Sequence, residues 1–168
     1  MKFKHSTIIL GKRIYLRKLL IKDANKNYLS WFSDNKSKKF IISSSSVNSI
    51  KSIKEYIRNK NNKNNVLFLG IFLKSNDKHI GNIKFEPINI KIKETTLGIM
   101  IGDKNYRNKG MGREAIDISM NWLKSNFDIS NFKLGVDVKN ELAIRLYEKI
   151  GFKLQSQTDL ELKYLLEI

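Results

Sequence analysis

The chain has 168 residues, a length typical of one domain, and a formal net charge of +16. It contains no cysteine and only two histidines, which excludes disulfides and thiol nucleophiles and disfavours a protein-bound metal. The longest apolar run, residues 66–73, is too short to span a bilayer, and residues 1–13 lack the apolar segment of a signal peptide. We therefore expect a single cytoplasmic domain over residues 1–168, with no membrane partner.

The basic charge is compatible with nucleic-acid binding, but its distribution favours another interpretation. Lysine is spread along the whole chain, and neither an aromatic RNA-binding signature nor zinc-finger spacing is present. We predict no specific nucleic-acid partner and a preference for anionic small molecules.

The first part of the chain predicts one strand and two helices. Residues 12–17 alternate between apolar and polar side chains as a strand does, and Asp23 is a suitable N-cap for the first helix. Trp31 is expected to pack between that helix and the sheet. After a serine-rich loop at residues 43–46, Ser49 is a suitable N-cap for the second helix.

A hairpin is predicted next, formed by residues 66–73 and 79–86 around a polar turn. Pro87, the only proline, is expected to end the second strand, since it cannot donate a hydrogen bond to a ladder. His79 stands at the edge of the turn, and we expect it on the surface.

The second half predicts strands and helices in alternation. Strand 94–101 leads through a loop to helix 110–126, strand 133–138 and helix 140–150, and two further strands complete the chain. The resulting order of seven strands and four helices indicates a mixed α/β single domain.

The loop before the third predicted helix has the features of an anion-binding site. A strand, a glycine-containing loop and a helix N-terminus bring together unpaired backbone N–H groups and the positive end of the helix dipole. Gly110 and Gly112 would let ligand oxygens approach the backbone closely. Cationic donors surround the same loop: Arg107, Lys109 and Arg113.

Two common phosphate-binding motifs can be compared with this loop. The Walker pattern is absent, whereas Gly110 to Ala115 matches the dinucleotide variant G-x-G-x-x-A, with Asp137 about 20 residues later. Several loop residues separate the motif from its strand, however, and too little chain follows to build the second half of a dinucleotide-binding fold. Both facts disfavour a dinucleotide-dependent oxidoreductase.

A second informative segment is residues 140–152, an amphipathic helix with clear ends. Asn140 is a suitable N-cap and Gly151 a natural C-terminal stop. Tyr147 lies on the apolar face of this helix, where a tyrosine usually serves packing.

Together the two segments resemble the GNAT acetyltransferase superfamily. Its acetyl-CoA signature, [QR]-x-x-G-x-[GA], is met by residues 107–112, and its downstream signature, an Asn leading to Leu-Tyr-Glu-Lys-x-Gly-Phe, by Asn140 and residues 146–152. The element order follows that family along essentially the whole chain. Residues 28–34 and the strand at 97–99 look most like the Rim-type branch, that of the ribosomal-protein alanine N-acetyltransferases. That branch modifies protein N-termini, and near relatives acetylate antibiotics, polyamines or amino sugars.

The resemblance implies a central mixed, mostly antiparallel, seven-stranded twisted sheet with about four flanking helices, splayed between strands 94–101 and 133–138. Acetyl-CoA, as co-substrate, would enter that wedge. The residues that the resemblance implies for its binding are Ile99, Met100, Ile101, Arg107, Asn108, Lys109, Gly110, Met111, Gly112, Arg113, Asn140 and Ala143.

The resemblance also implies the catalytic groups. An amine attacks the thioester directly, a backbone N–H stabilises the oxyanion, and Tyr147 protonates the departing thiolate. Many relatives carry a glutamate as base where this chain has Thr96. Glu94, two places earlier on the same face, is therefore the predicted base, and Glu86 on the neighbouring strand is an alternative.

The sequence thus predicts an acetyl-CoA-dependent N-acetyltransferase that acts as a monomer or homodimer. Its acceptor is expected to be a small or nucleotide-linked amino sugar, or a protein N-terminus. The alternative from another class is a non-catalytic acyl-CoA-binding sensor that keeps the cleft without a base.

Overall fold

The computed structural model describes residues 7–33 and 48–168, so the loop predicted at residues 43–46 lies outside it. Within the described residues, one sheet of eight strands is flanked by four α-helices. In chain order the elements are β1 (Ile8–Leu10), β2 (Ile14–Lys18), α1 (Lys26–Ser30), α2 (Ile50–Asn62), β3 (Leu67–Leu73), β4 (His79–Asn89), β5 (Glu94–Ile101), α3 (Met111–Phe127), β6 (Asn131–Asp137), α4 (Glu141–Ile150), β7 (Lys153–Gln157) and β8 (Glu161–Glu167).

The strand order across the sheet is β1-β2-β3-β4-β5-β6-β8-β7. The mixed α/β single-domain fold is confirmed, but the predicted number of seven strands is wrong by one. The additional strand is β1, which pairs antiparallel with β2 from Ile8 opposite Arg17 to Leu10 opposite Tyr15. A strand of three residues is too short to show the alternation on which the sequence prediction depends.

The divergence between β5 and β6 is confirmed. The two strands run parallel and pair only where Glu94–Thr96 faces Asn131–Lys133. From Leu97 to Ile101, β5 keeps its partner β4 but has separated from β6. The sheet is therefore continuous at one end of this junction and open at the other.

Helices cover both faces of the sheet. On one face α3 and α4 pack over a core that includes Phe85 and Phe132, both fully buried. On the other face α1 and α2 pack over Phe68, and Ile53 and Ile57 point inwards from α2. Both faces of the sheet therefore carry helices at the β5–β6 junction.

The predicted N-caps of the first two helices differ in outcome. The predicted N-cap of α2 is confirmed, since Ser49 Oγ accepts a hydrogen bond from the backbone N–H of Ser52 at 3.1 Å. The prediction that Asp23 caps the first helix is wrong, because Asn25 does so. Asp23 instead accepts two hydrogen bonds from the Arg17 guanidinium, at 2.7 and 2.9 Å, and a bidentate charged partner outweighs a cap.

The prediction that Pro87 ends the second hairpin strand is also wrong. β4 continues to Asn89, and the register with β5 shifts between Phe85 and Ile88. This irregularity leaves Pro87 outside the paired positions, so its missing N–H costs no ladder hydrogen bond.

The prediction that His79 lies on the surface is wrong. His79 is buried, and only 8% of its surface area is exposed. Its ring stacks on Phe72, with 4.7 Å between centroids, and meets Trp31 edge-on. Nε2 donates to the carbonyl oxygen of Gly81 and to Asn82 Oδ1, at 3.0 and 2.9 Å. Burial lowers the pKa of His79, so the ring is neutral at physiological pH.

Candidate active site

The divergence of β5 and β6 opens a cleft of about 750 Å³ between them. Its lining includes α4 on one face of the sheet and both α1 and α2 on the other, so the cleft connects the two faces. Tyr147 lines it. So do half of the residues predicted to bind the co-substrate: Ile99, Met100, Ile101, Gly112, Asn140 and Ala143.

The first turn of α3 borders this cleft through Gly112. The N-cap residue Gly110 has a left-handed backbone, with φ of 78°, and makes no side-chain capping hydrogen bond. The first backbone N–H groups of α3 are therefore available to a ligand, next to the positive end of the helix dipole. This arrangement fits an anionic group such as a diphosphate.

Two arginines fix the loop before α3, and the sequence predicted only one of them. Arg107 donates from Nε to the Ile101 carbonyl at 2.9 Å and from Nη2 to the Gly102 carbonyl at 2.8 Å, so its guanidinium holds the turn after β5. Arg13, next to β2, donates from Nη1 to the Lys109 carbonyl at 2.9 Å. Because these partners are 96 residues apart in sequence, no local pattern could have revealed Arg13.

The other predicted loop residues lie beside the cleft and not in its lining. Asn108 has a left-handed backbone, with φ of 57°. The side chain of Met111 belongs to the hydrophobic core, so only its backbone could reach a ligand. The Arg113 side chain is 43% exposed, and its Nε lies 3.5 Å from Oδ2 of Asp117, one helical turn later.

Three predicted site residues belong to α4 or its N-cap: Asn140, Ala143 and Tyr147. Asn140 is the N-cap, with Oδ1 accepting from the backbone N–H of Ala143 at 3.4 Å. Tyr147 is 7% exposed and packs edge-on against Phe152, with 5.8 Å between ring centroids. Burial raises the pKa of Tyr147 to about 12, so its hydroxyl is protonated throughout the physiological range.

The two glutamates considered as bases are both ion-paired. Glu94 lies outside the cleft lining, with Oε2 2.7 Å from Lys133 Nζ. Glu86 lines the cleft, where it contacts Lys60, Lys63 and Lys84. Although burial acts to raise the pKa of Glu86, the lysine hydrogen bonds outweigh it and lower the pKa to about 2, which makes Glu86 a very weak base.

The end of the cleft under α1 and α2 combines aromatic rings with positive charge. Aromatic side chains line it: Tyr28, Phe32, Tyr56 and Phe68. Lys84 Nζ lies 3.0 Å from Glu86 Oε2 and 3.4 Å from the Tyr56 hydroxyl. Lys84 faces Gly98 across the β4–β5 ladder, and a Cβ added at Gly98 would meet no atom within 4 Å. This end therefore has open space at Gly98, and its Glu86 carboxylate contacts three lysine ammonium groups.

Although Asp137 was considered as part of a dinucleotide motif, three residues on the β6–β8 side of the cleft were not predicted as site residues. Asp137, Glu161 and Gly135 line it, and a Cβ added at Gly135 would collide with the Glu161 carboxylate. Glu161 stands opposite Asp137 in the antiparallel ladder. One sequence signal could have indicated that Glu161 points away from the core. Apolar residues occupy every second position of the last strand, and Glu161 lies between two of them.

Among the described residues, no helix is long and apolar enough to cross a membrane. No group of three or more His, Cys, Asp or Glu side chains within those residues is arranged to hold a metal ion.

Comparison with known proteins finds one matching family and a related protein of similar length. A family model described as the acetyltransferase (GNAT) domain matches residues 13–153. The probable N-acetyltransferase YjcK of Bacillus subtilis strain 168 is 28% identical over 153 residues, which cover 86% of this chain and 83% of that protein.

Solved structures share the fold at low sequence identity. RimL, a ribosomal L7/L12 alpha-N-protein acetyltransferase in complex with coenzyme A, superposes with a TM-score of 0.85 at 16% identity over 96% of this chain and 98% of that one. The microcin C7 self-immunity acetyltransferase MccE, in complex with acetyl-CoA and AMP, has a TM-score of 0.81 at 21% identity over 94% of each chain.

Proposed function

The chain belongs to the acetyltransferase (GNAT) domain family, whose co-substrate is acetyl-CoA, and on this premise we propose its acceptor and its catalytic groups. The acceptor we propose is the primary amine of a small or nucleotide-linked amino sugar, with a protein N-terminus as the second candidate. The protein would act in the cytoplasm as a monomer or homodimer, without a nucleic-acid or membrane partner.

The observation that carries the proposal is the open β5–β6 junction next to the uncapped N-terminus of α3. The separated part of β5 offers backbone groups from Ile99 to Ile101 to an extended pantetheine arm. The N–H groups from Arg107 to Gly112 would hold the pyrophosphate, and Arg13 keeps this loop in place through the Lys109 carbonyl. Co-substrate and acceptor would meet in the cleft between β5 and β6, which is lined by helices from both faces of the sheet.

Direct transfer is the chemistry that these residues support. The acceptor nitrogen would attack the thioester carbon, and a β5 backbone N–H would stabilise the oxyanion by about 3 kcal/mol. The chain has no cysteine, so no acyl-thioester on the protein can intervene. The acetyl group would then pass from one substrate to the other in a single attack.

Tyr147 is the proposed acid for the departing thiolate. Its pKa of about 12 lies above the value of ~8.5 that is usual for a thiol in water, so complete proton transfer to a hydrated thiolate would be uphill. A thiolate that leaves inside the cleft is desolvated as well, which raises its own affinity for the proton. Tyr147 would thus donate its hydrogen bond as negative charge develops on sulfur, and transfer the proton as the bond breaks.

We place the acceptor at the end of the cleft under α1 and α2, where the lysines around Glu86 favour an anionic group. Three lysine ammonium groups surround the single carboxylate of Glu86, and aromatic rings stand beside Lys84. A ring system that carries phosphate would find both stacking surface and cationic donors there. The structural similarity to MccE, which was solved with AMP, supports a nucleotide-linked acceptor, and that to RimL supports the N-terminal alternative.

The sensor alternative is favoured by one observation. Glu94 and Glu86, the two residues considered as base, are both ion-paired with lysine. A protein that binds acyl-CoA without turning it over would need no free carboxylate in the cleft. Turnover distinguishes the two functions directly.

The test is a panel of acceptors assayed for release of free coenzyme A. Because the protein contains no cysteine, a thiol reagent reports the released coenzyme without background from the protein. The panel contains free amino sugars, nucleotide-linked amino sugars, polyamines and peptides with free N-termini. We expect the highest kcat/KM with a nucleotide-linked amino sugar.

A thermal-shift measurement provides the control for co-substrate binding. Acetyl-CoA should raise the Tm and NAD should not. Stabilisation by acetyl-CoA without turnover of any amine would favour the sensor, and stabilisation by NAD alone would overturn the proposal.

A further inference from the structure

The carboxylate of Glu161 occupies a position in the cleft that depends on a glycine in the neighbouring strand. Glu161 begins β8, and its side chain lies over Gly135 of the paired strand β6. A Cβ at Gly135 would overlap Glu161 Oε1, so only glycine leaves room for the carboxylate there. Both residues line the cleft where β6 has separated from β5.

The carboxylate of Glu161 has fewer lysine partners than that of Glu86, the other glutamate in the cleft lining. Its nearest ammonium group is Lys163 Nζ, 4.0 Å from Oε2, and the side chains of Glu161 and Lys163 are 40% and 62% exposed. Glu86 contacts three lysines. At 4 Å and in contact with water, an ion pair contributes little. Glu161 therefore presents a negative charge to the cleft of a strongly basic protein.

Glu161 and Tyr147 approach the cleft from opposite faces of the sheet. Leu162, the next residue of β8, belongs to the core that α3 and α4 cover, so Glu161 points to the face of α1 and α2. Tyr147 comes from α4, on the other face. The reaction needs one group that binds the acceptor amine and another that protonates the departing thiolate. These two groups act on different sides of the reacting carbon.

We propose that the Glu161 carboxylate binds the ammonium group of the acceptor and removes its proton before attack. This inference rests on the proposed N-acetyltransferase function and assigns a base that the sequence placed at Glu94. The ammonium passes one proton to Glu161, and the nitrogen lone pair forms the C–N bond to give the tetrahedral oxyanion. The C–S bond then breaks as the carbonyl re-forms. The thiolate takes the Tyr147 proton, the new amide nitrogen returns a proton to Tyr147, and Glu161 releases its own to water.

The test uses Glu161→Gln, which keeps the size of the side chain and removes the charge. With the best amine of the acceptor panel we expect kcat/KM to fall about 10²-fold, the usual contribution of a general base. Hydroxylamine, a nucleophile that is unprotonated at neutral pH, should lose less than about twofold, and so should coenzyme A affinity. A fall of kcat/KM by the same factor for amine and hydroxylamine would show a structural role and overturn the assignment.

Three further variants sharpen the comparison. Glu167→Gln removes the same charge from the exposed end of β8 and should leave both reactions unchanged. Gly135→Ala should displace the Glu161 carboxylate and reproduce part of the loss, and Glu161→Asp should retain part of the rate. If Glu94→Gln lowers the amine reaction and Glu161→Gln does not, Glu94 is the base and the proposal fails.

The pH dependence gives an independent measurement. The deficit of Glu161→Gln should shrink as the pH rises towards the pKa of the acceptor amine, because the neutral amine needs no carboxylate. Lys163 on β8 and Asp137 on β6, the charged groups beside Glu161, are unchanged in this variant. A deficit that is constant with pH would contradict proton removal. Absence of turnover with every amine in the unaltered protein would instead count against the proposed function itself.

Discussion

Arg13 and Glu114 are 101 residues apart in sequence, yet Arg13 Nε lies 2.9 Å from Glu114 Oε2. The backbone N–H of Arg13 also donates to Glu114 Oε1, at 2.7 Å. Although burial acts to raise the pKa of Glu114, the hydrogen bonds from Arg13 outweigh it and lower the pKa. The start of β2 is thereby fixed to the first turn of α3, where the pyrophosphate is proposed to bind.

The first prediction concerns Arg13. Arg13→Gln removes the hydrogen bond to the Lys109 carbonyl and the ion pair with Glu114, so the loop should be less ordered before it binds the co-substrate. Since the Arg13 side chain is 46% exposed, we expect a modest effect, about fivefold weaker coenzyme A binding by isothermal titration calorimetry. Arg145→Gln, an exposed arginine paired along α4 with Glu141, is the control and should bind normally.

The second prediction separates the two glycines of the motif. Gly110 has φ of 78°, so Gly110→Ala should cost about 1–2 kcal/mol and lower the Tm by a few degrees. Gly112 is helical, and a Cβ there would come no closer than 3.7 Å to Ile101, so Gly112→Ala should be neutral or slightly stabilising. Thermal unfolding of both variants provides the measurement, and equal destabilisation would contradict the backbone argument.

The third prediction concerns Tyr147. Tyr147→Phe should lower kcat by about 10²-fold with little change in coenzyme A affinity, because only the proton donor is lost. With a pKa of about 12, the hydroxyl stays protonated up to strongly alkaline pH, and activity that needs this proton is lost only as the pH rises through that value. The pH profile of kcat should therefore show no decline from Tyr147 between pH 7 and about 10. Unchanged turnover in the variant would remove Tyr147 from the mechanism.

The fourth prediction follows from the lysine cluster around Glu86. Its pKa is about 2 in the folded protein, below the ordinary value, so its stabilising contribution is complete above the unfolded pKa and is lost as the pH falls through the folded one. Between about pH 5 and pH 2 the free energy of unfolding should decrease less steeply in Glu86→Gln than in the unaltered protein. At neutral pH the variant should be less stable by about 1–2 kcal/mol, because three lysines lose their partner. Urea unfolding across this pH range measures both effects.

Local patterns in the sequence predicted the elements that hold the site. Strand 94–101 has the predicted bounds, and α4 begins after its predicted cap, Asn140. Both signals lie within a few neighbouring residues, since alternation and capping are local properties. The roles of Tyr147 and Glu94 stay predictions, because the structure places these side chains and tests no chemistry.

The residues that escaped prediction depend on contacts between distant parts of the chain. Arg13 reaches Lys109 across the fold, and Glu161 reaches Gly135 across a strand pair whose register the sequence does not reveal. His79 turned inwards because the aromatic rings of Phe72 and Trp31 surround it, although a polar turn precedes it in the chain. The register of strand pairing and the packing of helices determine such contacts, and a local sequence pattern reveals neither.

The short pairing between β5 and β6 gives the protein a strand edge in its own interior. An edge strand presents unpaired N–H and C=O groups in a row, and proteins usually cover such rows. From Leu97 to Ile101 this row faces the cleft, where an amide-containing ligand arm could hydrogen-bond as an additional strand would. The co-substrate would thus complete the architecture as well as take part in the reaction, and amide hydrogen exchange along this segment would slow when it is bound.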